Sequence, residues 1–313
     1  MIGTPRLLGL GVVAAYLLPF ILGSIALRMA IEILYLGLFA VAFNLILGYA
    51  GLLSFGFNAT FGVGAYAFAL ILARLPGVPI LAAVLMGAAI GGLVGLAMGA
   101  LCVRLGGGYF SLMTLALCQL LYAVAIKWRP VTGGEDGIFV RRPDVVLPGI
   151  GAIHLGQEGN VYWLALTVVL VCLWLMWRFI GSPAGQAVIL VRENPGRAAF
   201  LAYNVYATKL VAFAFASAMA AVAGILFALL QGLVSPATLS LMQAGEPLFM
   251  AVLGGTGAFL GPLLGTMVYA LFQDWLSRTT EHWPVFMGLL FVVLVIFAPD
   301  GLVGIVRRLR RAS

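Results

Sequence analysis

The chain has 313 residues, of which 64% are hydrophobic and 9% are charged, and it carries a net charge of +7. A soluble domain contains about 25% charged residues, so this composition excludes a water-soluble globular protein. Because a helix satisfies its own backbone hydrogen bonds in hydrocarbon, we predict an all-α polytopic membrane protein. In that class, positive charge reflects basic residues kept on the cytoplasmic side and does not indicate nucleic-acid binding.

A membrane-spanning helix needs about 20 apolar residues. On this basis we predict one transmembrane domain over residues 1–313 with about ten helices, some of them broken. The eighth predicted span is short enough to be a re-entrant half-helix. The predicted spans are 7–27, 29–48, 57–73, 79–103, 109–128, 161–180, 209–232, 239–254, 259–276 and 284–305.

Basic residues set the predicted orientation. More of them fall on one side of the ten spans, and the tail RRLRR (307–311) falls on that side too. Since Lys and Arg are retained in the cytoplasm, both termini are predicted to be cytoplasmic. The loop 182–208 is then cytoplasmic, and the long connection 130–160 is extracytoplasmic.

Glycine is frequent, with 40 residues, and it clusters. For the cluster at 87–99 we predict close helix packing through small residues. The clusters at 48–64 and 254–262 interrupt predicted spans. Broken helices are tolerated where they are buried in protein or line a watery cavity, so packing and function both remain open for these two.

The loop 182–208 is polar between two long apolar runs. Asn194 followed by Pro195 is typical of a helix N-cap with proline at the first helical position. We therefore predict two short helices, 183–193 and 195–203. The loop is either a bare connector or a docking element for a soluble partner, and we favour docking.

Several polar residues fall inside predicted spans, where they are functional candidates. Together they predict a weakly polar conduit for a small solute, with hydrogen bonding between helices as the alternative. The candidates for the translocation pathway are Asn44, Asn58, Ser111, Thr114, Gln119 and Glu246. Arg28 and Glu32 are spaced to pair along one helix face.

No sequence of the form GxxxxGK[ST] occurs, and no catalytic or metal-ligand spacing is present. We predict that the chain is not an enzyme, that it has no catalytic or metal-binding residue, and that it holds no cofactor.

Six segments, in this order, resemble the membrane permeases of branched-chain amino-acid ABC importers, in the LivM-like branch. They are NLILGYAGLLSFGFNATFGVGAYA (44–67), RLGGGYFSLMTLALCQ (104–119), TGGEDG (132–137), SPAGQAVILVRENPGRAAFLAYNV (182–205), GEPLFMAVLGGTGAFLGP (245–262) and PDGLVG (299–304). The resemblance covers nearly the whole chain. It implies a multi-pass protein of the bacterial inner membrane.

The resemblance also implies partners: a homologous permease subunit, cytoplasmic ATP-binding subunits that hold ATP and magnesium, and an extracytoplasmic solute-binding protein. The loop would carry the coupling contact with the ATPase. The residues carried over for that role are Gly185, Arg192, Glu193, Asn194 and Arg197. For Arg192, interaction with anionic lipid headgroups is the alternative.

This chain departs from the family at several positions. Gln186 and Ile189 replace basic residues and Ala199 replaces an acid, which predicts a less charged, more apolar docking surface. Phe57 stands where the family has His or Gln, and Gly106 replaces a basic residue.

The solute implied is a branched-chain or related hydrophobic amino acid. Permeases for urea, short amides or aromatic acids in the same family are alternatives, as is an ATP-independent secondary transporter or channel.

Overall fold

The computed structural model describes residues 13–20, 22–75, 77–142, 145–147, 151–153, 155–297 and 301–304. Helices form most of this part of the chain. The basic tail 307–311 and the beginning of the first predicted span lie outside the described residues. The prediction that the tail fixes the C-terminus in the cytoplasm therefore concerns residues that the structure does not describe.

The helices follow one another along the chain, with one long connection between α5 and α6. They are α1 (Ser24–Asn44), α2 (Asn58–Arg74), α3 (Ile80–Cys102), α4 (Gly108–Lys127), α5 (Arg129–Thr132), α6 (Glu158–Gly181), α7 (Pro183–Glu193), α8 (Pro195–Phe200), α9 (Val205–Gln231), α10 (Leu241–Ala244), α11 (Glu246–Gly254), α12 (Gly261–Thr279) and α13 (Trp283–Phe297). A π turn (Leu45–Tyr49) continues α1. Residues 13–20 and 301–304 are also helical, and Gly134–Asp136 and Pro236–Leu239 are 3₁₀ turns.

Two small antiparallel ribbons complete the described structure. In one, β1 (Ile138–Phe139) pairs with β4 (Leu233–Val234), which places the connection 130–160 against the end of α9. In the other, β2 (Val145–Leu147) pairs with β3 (Gly151–Ile153). Neither ribbon extends into a larger sheet within the described residues, so the chain is an all-α membrane protein.

Five helices are long and apolar enough to cross a membrane: α1 with its π turn, α3, α4, α6 and α9. They correspond to the predicted spans 29–48, 79–103, 109–128, 161–180 and 209–232. By contrast, α11 has nine residues and is about 14 Å long, less than half of a hydrocarbon core of about 30 Å. The remaining predicted crossings stay predictions.

The predicted boundary between the first two spans is wrong. The spans 7–27 and 29–48 place Arg28 between two helices, but Arg28 lies inside α1, which begins at Ser24. Gly23 precedes α1 with extended backbone angles of φ −71° and ψ 166°. Glycine favours a break there because it costs about 1 kcal/mol more than alanine in a helix interior.

The core is built around α9, which packs against α1, α2 and α3. Glycine makes these contacts close. A Cβ atom at Gly64 on α2 would lie 2.5 Å from the Cα atom of Ala221 on α9, and a Cβ atom at Gly91 on α3 would overlap the Ala221 side chain. The structure therefore confirms the packing role predicted for the glycines of 87–99.

The two other glycine clusters interrupt helices, as predicted. After the π turn, Gly51 adopts a φ of 68°, and the chain stays non-helical until α2 begins. At the second break, α11 ends and Gly255 has a φ of 100° before α12 begins. Positive φ angles of this kind favour glycine because it has no Cβ atom.

These two breaks lie against each other. Asn44 donates from Nδ2 to the carbonyl oxygen of Ala258 at 3.3 Å. A Cβ atom at Gly48 would lie 2.8 Å from the carbonyl oxygen of Thr256, so the close approach requires glycine. The two breaks thus cover part of each other's backbone, and burial in protein is a condition under which broken helices are tolerated at membrane depth.

Candidate functional site

Residues 182–208, here named the two-helix loop, fold into α7 and α8 as the sequence predicts. The Ser182 hydroxyl accepts a hydrogen bond from the N–H of Gly185 at 3.3 Å and caps α7. Asn194 Oδ1 accepts one from the N–H of Arg197 at 2.9 Å and caps α8, which has proline at its first position. The caps satisfy N–H groups that have no partner inside a helix.

Two of the predicted coupling residues shape the loop from within. Gly185 is buried, and a Cβ atom there would lie 2.6 Å from the Cα atom of Ile180, so α7 starts directly against the end of α6. The Asn194 side chain is used by the cap. Glu193 and Arg197 are exposed on the loop surface, as are Arg192 and Asn194.

The end of α8 presents an apolar surface. The helix ends at Phe200, three residues before the predicted end at 203, and Ala202 adopts a φ of 61° in the turn that follows. Phe200 is 95% exposed, Leu201 63% and Tyr203 45%. We name these three residues the apolar tip. Exposed apolar patches with polar surroundings mark interaction sites.

Arg192 makes its hydrogen bond within the chain. Its Nη1 atom donates to the carbonyl oxygen of Gly48, in the π turn that ends α1. Its side-chain stem lies beside Gly51, where a Cβ atom would be 3.0 Å from Arg192 Cγ. Arg192 therefore fastens the two-helix loop to the first helix break.

A second candidate site lies inside the helix bundle. It is a cavity of about 160 Å³ between α1, α2, α9 and α11, similar in size to an engineered cavity of about 150 Å³ that binds benzene. We name it the polar cavity. Its polar wall consists of Glu32, Tyr35, Asn58, Gln231, Thr238, Gln243, Glu246 and Gln273.

Charge distinguishes the polar cavity from an ordinary packing defect. Glu32 and Glu246 both face it, and within the described residues neither forms an ion pair with Lys or Arg. The Tyr35 hydroxyl interacts with Glu32 and with Gln231. Because isolated carboxylates are costly inside a membrane, such residues are functional candidates.

A larger groove adjoins this cavity. It has a volume of about 870 Å³ and runs between the first turns of α1 and the last turns of α12. Glu32 and Gln273 line both spaces, so the groove and the polar cavity meet at these two side chains. The arrangement can admit a small polar solute or water from one end of the bundle.

Two of the predicted pathway residues, Asn58 and Glu246, line the polar cavity. Each is the first residue of its helix, Asn58 of α2 and Glu246 of α11. Asn58 donates from Nδ2 to the carbonyl oxygen of Ser240 at 3.0 Å. Cys118 Sγ donates to Asn58 Oδ1 at 3.2 Å, which ties α4 to the cavity wall.

The other predicted pathway residues lie elsewhere. Asn44 joins the two breaks, as described above. Ser111 donates to the carbonyl oxygen of Leu53, and Thr114 donates to the carbonyl oxygen of Ser111 at 2.8 Å. The buried Nε2 atom of Gln119 has no hydrogen-bond partner among the described residues. Asn44, Ser111 and Thr114 thus bond to backbone, and none of the four side chains lines the polar cavity.

The prediction that Arg28 pairs with Glu32 is wrong. Arg28 Nε donates to the carboxylate of Glu158, at the start of α6. The spacing of four residues permits a pair on one helix, but the neighbouring helix supplies the partner instead. Glu32 is left facing the polar cavity.

Sequence reasoning missed most of the cavity wall. Gln231, Gln243 and Gln273 were absent from the predicted pathway, although glutamines within or beside apolar helices are the signal that would have found them.

Phe57 occupies the position at which the resemblance leads one to expect His or Gln. It is 1% exposed, and its ring stacks on Phe39 with centroids 5.8 Å apart and an angle of 3°. Phe213 meets the same ring edge-on at 6.0 Å. The position serves aromatic packing in this chain.

Comparison with known proteins identifies the family. The profile described as branched-chain amino acid transport system / permease component matches residues 25–298. The high-affinity branched-chain amino acid transport system permease protein LivM of Escherichia coli is 27% identical over 289 residues, covering 84% of this chain and 66% of LivM. LivM of Salmonella typhimurium is 26% identical, with coverage of 84% and 66%.

A second kind of permease is similar over a shorter region. The protein LivH of the same transport system in Escherichia coli is 26% identical over 175 residues, covering 51% of this chain and 56% of LivH. This chain spans 66% of the length of the two LivM relatives. No solved structure is significantly similar to it. With the family profile matching most of its length and five apolar helices able to cross a bilayer, the chain is an integral membrane protein that belongs to the family of branched-chain amino acid transport permeases.

Proposed function

We propose that this chain is the permease subunit of an ATP-driven ABC importer for branched-chain amino acids. The observation that carries the proposal is the two-helix loop, a capped pair of short helices with an exposed apolar tip on a chain of this permease family. The relatives LivM and LivH are named as branched-chain amino acid permeases, and the proposal extends that function to this chain.

In this proposal, ATP-binding subunits dock on the two-helix loop. Glu193 and Arg197 supply polar contacts, and Phe200 supplies a large apolar contact of the kind that dominates interface energies. ATP and magnesium bind in those partner subunits, and this chain itself holds no cofactor. A homologous permease completes the translocation unit, and an extracytoplasmic solute-binding protein delivers the solute.

The proposed topology has ten crossings in one domain over residues 1–313, with both termini in the cytoplasm of a bacterial cell and the permease in its inner membrane. Two sets of contacts support the proposed assignment of loops to the cytoplasmic and extracytoplasmic sides. Arg104 lies over the Tyr206 ring at 5.0 Å, within the group of residues predicted to be cytoplasmic. The connection 130–160 pairs with the opposite end of α9 through β1 and β4.

The polar cavity and its adjoining groove form the part of the pathway contributed by this chain. Glu246 and Asn58 contact the solute or its hydration water in this proposal, and Glu32 and Gln273 stand at the entrance. Asn44 and Ser111 hold neighbouring segments in place, whereas Thr114 bonds within α4.

The test compares wild type with Glu193→Arg, each tagged, affinity-purified and reconstituted in liposomes. Wild type is expected to carry an ATPase and to move labelled leucine only when ATP is supplied on the side of the two-helix loop. Glu193→Arg should lose the ATPase, because charge reversal harms a protein contact, whereas attraction to anionic lipid would tolerate or gain from added positive charge. Unlabelled isoleucine and valine should compete, and urea, acetamide and benzoate should not.

An ATP-independent transporter is the second candidate. Two carboxylates that face one cavity and lack an ion pair among the described residues favour it, because coupling ions bind such groups. If purified wild type brings no ATPase yet moves leucine alone, the importer proposal fails and this candidate replaces it.

A further inference from the structure

The end of α1 leaves backbone carbonyls that need partners. The last carbonyls of any helix have no N–H within the helix to bind. Here the carbonyl of Leu45 accepts from the N–H of Ala50 at 3.1 Å, and that of Ile46 accepts from Leu52 at 2.8 Å. The carbonyl of Gly48 accepts from the Arg192 guanidinium.

Arg192 suits this position in charge and in shape. It lies in the last turn of α7, and its positive charge meets the negative end of the α1 dipole. A charged donor makes this hydrogen bond stronger than a neutral one would. Its stem lies over Gly51, where a side chain would crowd Cγ, so the glycine gives the arginine room.

The same carbonyl group stands where the two helix breaks meet. Gly48 approaches the backbone of Thr256, and Asn44, one turn earlier, donates to Ala258. Three segments that are far apart in sequence thus converge at Gly48: the two-helix loop, the π turn and the connection between α11 and α12. π turns are frequent at functional sites.

Each break adjoins a helix that lines the polar cavity. The first runs from the π turn to Asn58, the first residue of α2, and the second follows α11, whose first residue is Glu246. The chain thus connects the two breaks with two of the cavity's polar side chains, directly for Asn58 and through the length of α11 for Glu246.

We propose that Arg192 is a positioning residue that links the two-helix loop to the paired breaks, and that it does not contact the docked ATPase. This inference rests on the proposed function, since it assumes that the loop receives the ATPase. Arg192 makes the loop and the π turn move as one unit. Arg192 and Arg197 are both exposed, but the side chain of Arg197 has no hydrogen bond within the described residues and so remains available to the partner.

The experiment compares Arg192→Gln and Arg192→Lys with Arg178→Gln as the matched control. Arg178 is an exposed arginine in the last turn of α6, outside the loop, so its replacement removes the same charge. Three quantities are measured: ATPase recovered with the tagged chain, leucine transported per ATP hydrolysed in liposomes, and amide hydrogen exchange at residues 48–57 in the purified chain alone.

For Arg192→Gln we expect wild-type recovery of the ATPase, because the docking surface is intact. We expect the ratio of leucine transported to ATP hydrolysed to fall at least about fivefold, the lower end of typical coupling factors. Hydrogen exchange at 48–57 should accelerate. Arg192→Lys, which keeps the charge and a donor, should fall between Arg192→Gln and wild type, and Arg178→Gln should match wild type.

Loss of the ATPase from Arg192→Gln, as expected for Glu193→Arg, would make Arg192 a docking contact and overturn the inference. Unchanged transport per ATP would overturn it too. If wild type recovers no ATPase, the proposed function fails. Hydrogen exchange in the purified chain alone still tests the role of Arg192, because unchanged exchange at 48–57 in Arg192→Gln refutes the link between the loop and the breaks. Should Arg192→Gln not fold, Arg192→Lys carries the same comparison.

Discussion

Alanine at Gly91 should destabilise the bundle, and removal of one facing methyl group should restore it. A Cβ atom at Gly91 overlaps the Cβ atom of Ala221 on α9, whereas the Ala221 Cα atom is 3.6 Å away. Overpacking a close-packed core costs about 1–3 kcal/mol. Alanine in place of glycine returns about 1 kcal/mol through helix propensity, so Gly91→Ala should lose up to about 2 kcal/mol.

The second substitution, Ala221→Gly, removes the obstructing atom. In the double variant α3 gains about 1 kcal/mol of helix propensity and α9 loses the same amount, so stability should return close to that of wild type. Gly64→Ala is a variant that Ala221→Gly should not rescue. A Cβ atom there meets the Cα and carbonyl oxygen atoms of Ala221, which Ala221→Gly leaves in place, so no rescue is expected.

The assay is thermal unfolding in detergent, followed with a thiol-reactive dye. It suits this chain because Cys102, Cys118 and Cys172 are free and buried, so labelling reports loss of packing. Gly288→Ala serves as the control, since no atom lies within 4 Å of the added Cβ and its midpoint should equal or exceed that of wild type. A wild-type midpoint for Gly91→Ala, or rescue of Gly64→Ala by Ala221→Gly, would refute the packing argument.

Two further substitutions test single contacts. Asn194→Ala removes the cap of α8, which is worth about 1 kcal/mol, and should speed hydrogen exchange at 195–200. Asn194→Asp keeps a capping oxygen and should retain slow exchange. Equal exchange rates in the two variants would contradict the cap. Arg28→Gln breaks the ion pair with Glu158. Because the Arg28 side chain is 62% exposed, the loss of unfolding free energy should stay below about 1 kcal/mol. A large drop in the thermal midpoint would contradict a surface ion pair.

The sequence predicted the features that short-range physics decides. Runs of about twenty apolar residues located the five long helices with ends within five residues of those observed. The Asn194–Pro195 pair located the junction of α7 and α8, because capping depends on three or four consecutive residues. The glycine clusters marked both breaks for the same reason, since positive φ is a property of a single residue.

Contacts between distant segments escaped prediction. Arg28 found its partner 130 positions away on α6, although an acid stood four residues along its own helix. Gly48 and Arg192 are separated by 144 positions. Glu32, Gln231 and Gln273 belong to one cavity only because α1, α9 and α12 pack together. No local spacing contains that information, since helix packing alone decides which side chains share a space.

Arginine caps at both ends of the bundle constrain how it can move. Arg142, in the connection 130–160, donates to the carbonyls of Leu229 and Leu230 at 2.9 and 2.8 Å, at the end of α9. Arg192 donates to the carbonyl of Gly48, in the π turn that ends α1, on the side of the two-helix loop. These helices are the two most buried of the five long ones, and they pack against each other. Because close-packed interiors transmit displacement, in the proposed mechanism a push on the loop reaches α1 through Arg192, while Arg142 holds α9 at the opposite end. The relative motion then falls on the breaks and on the polar cavity beside them.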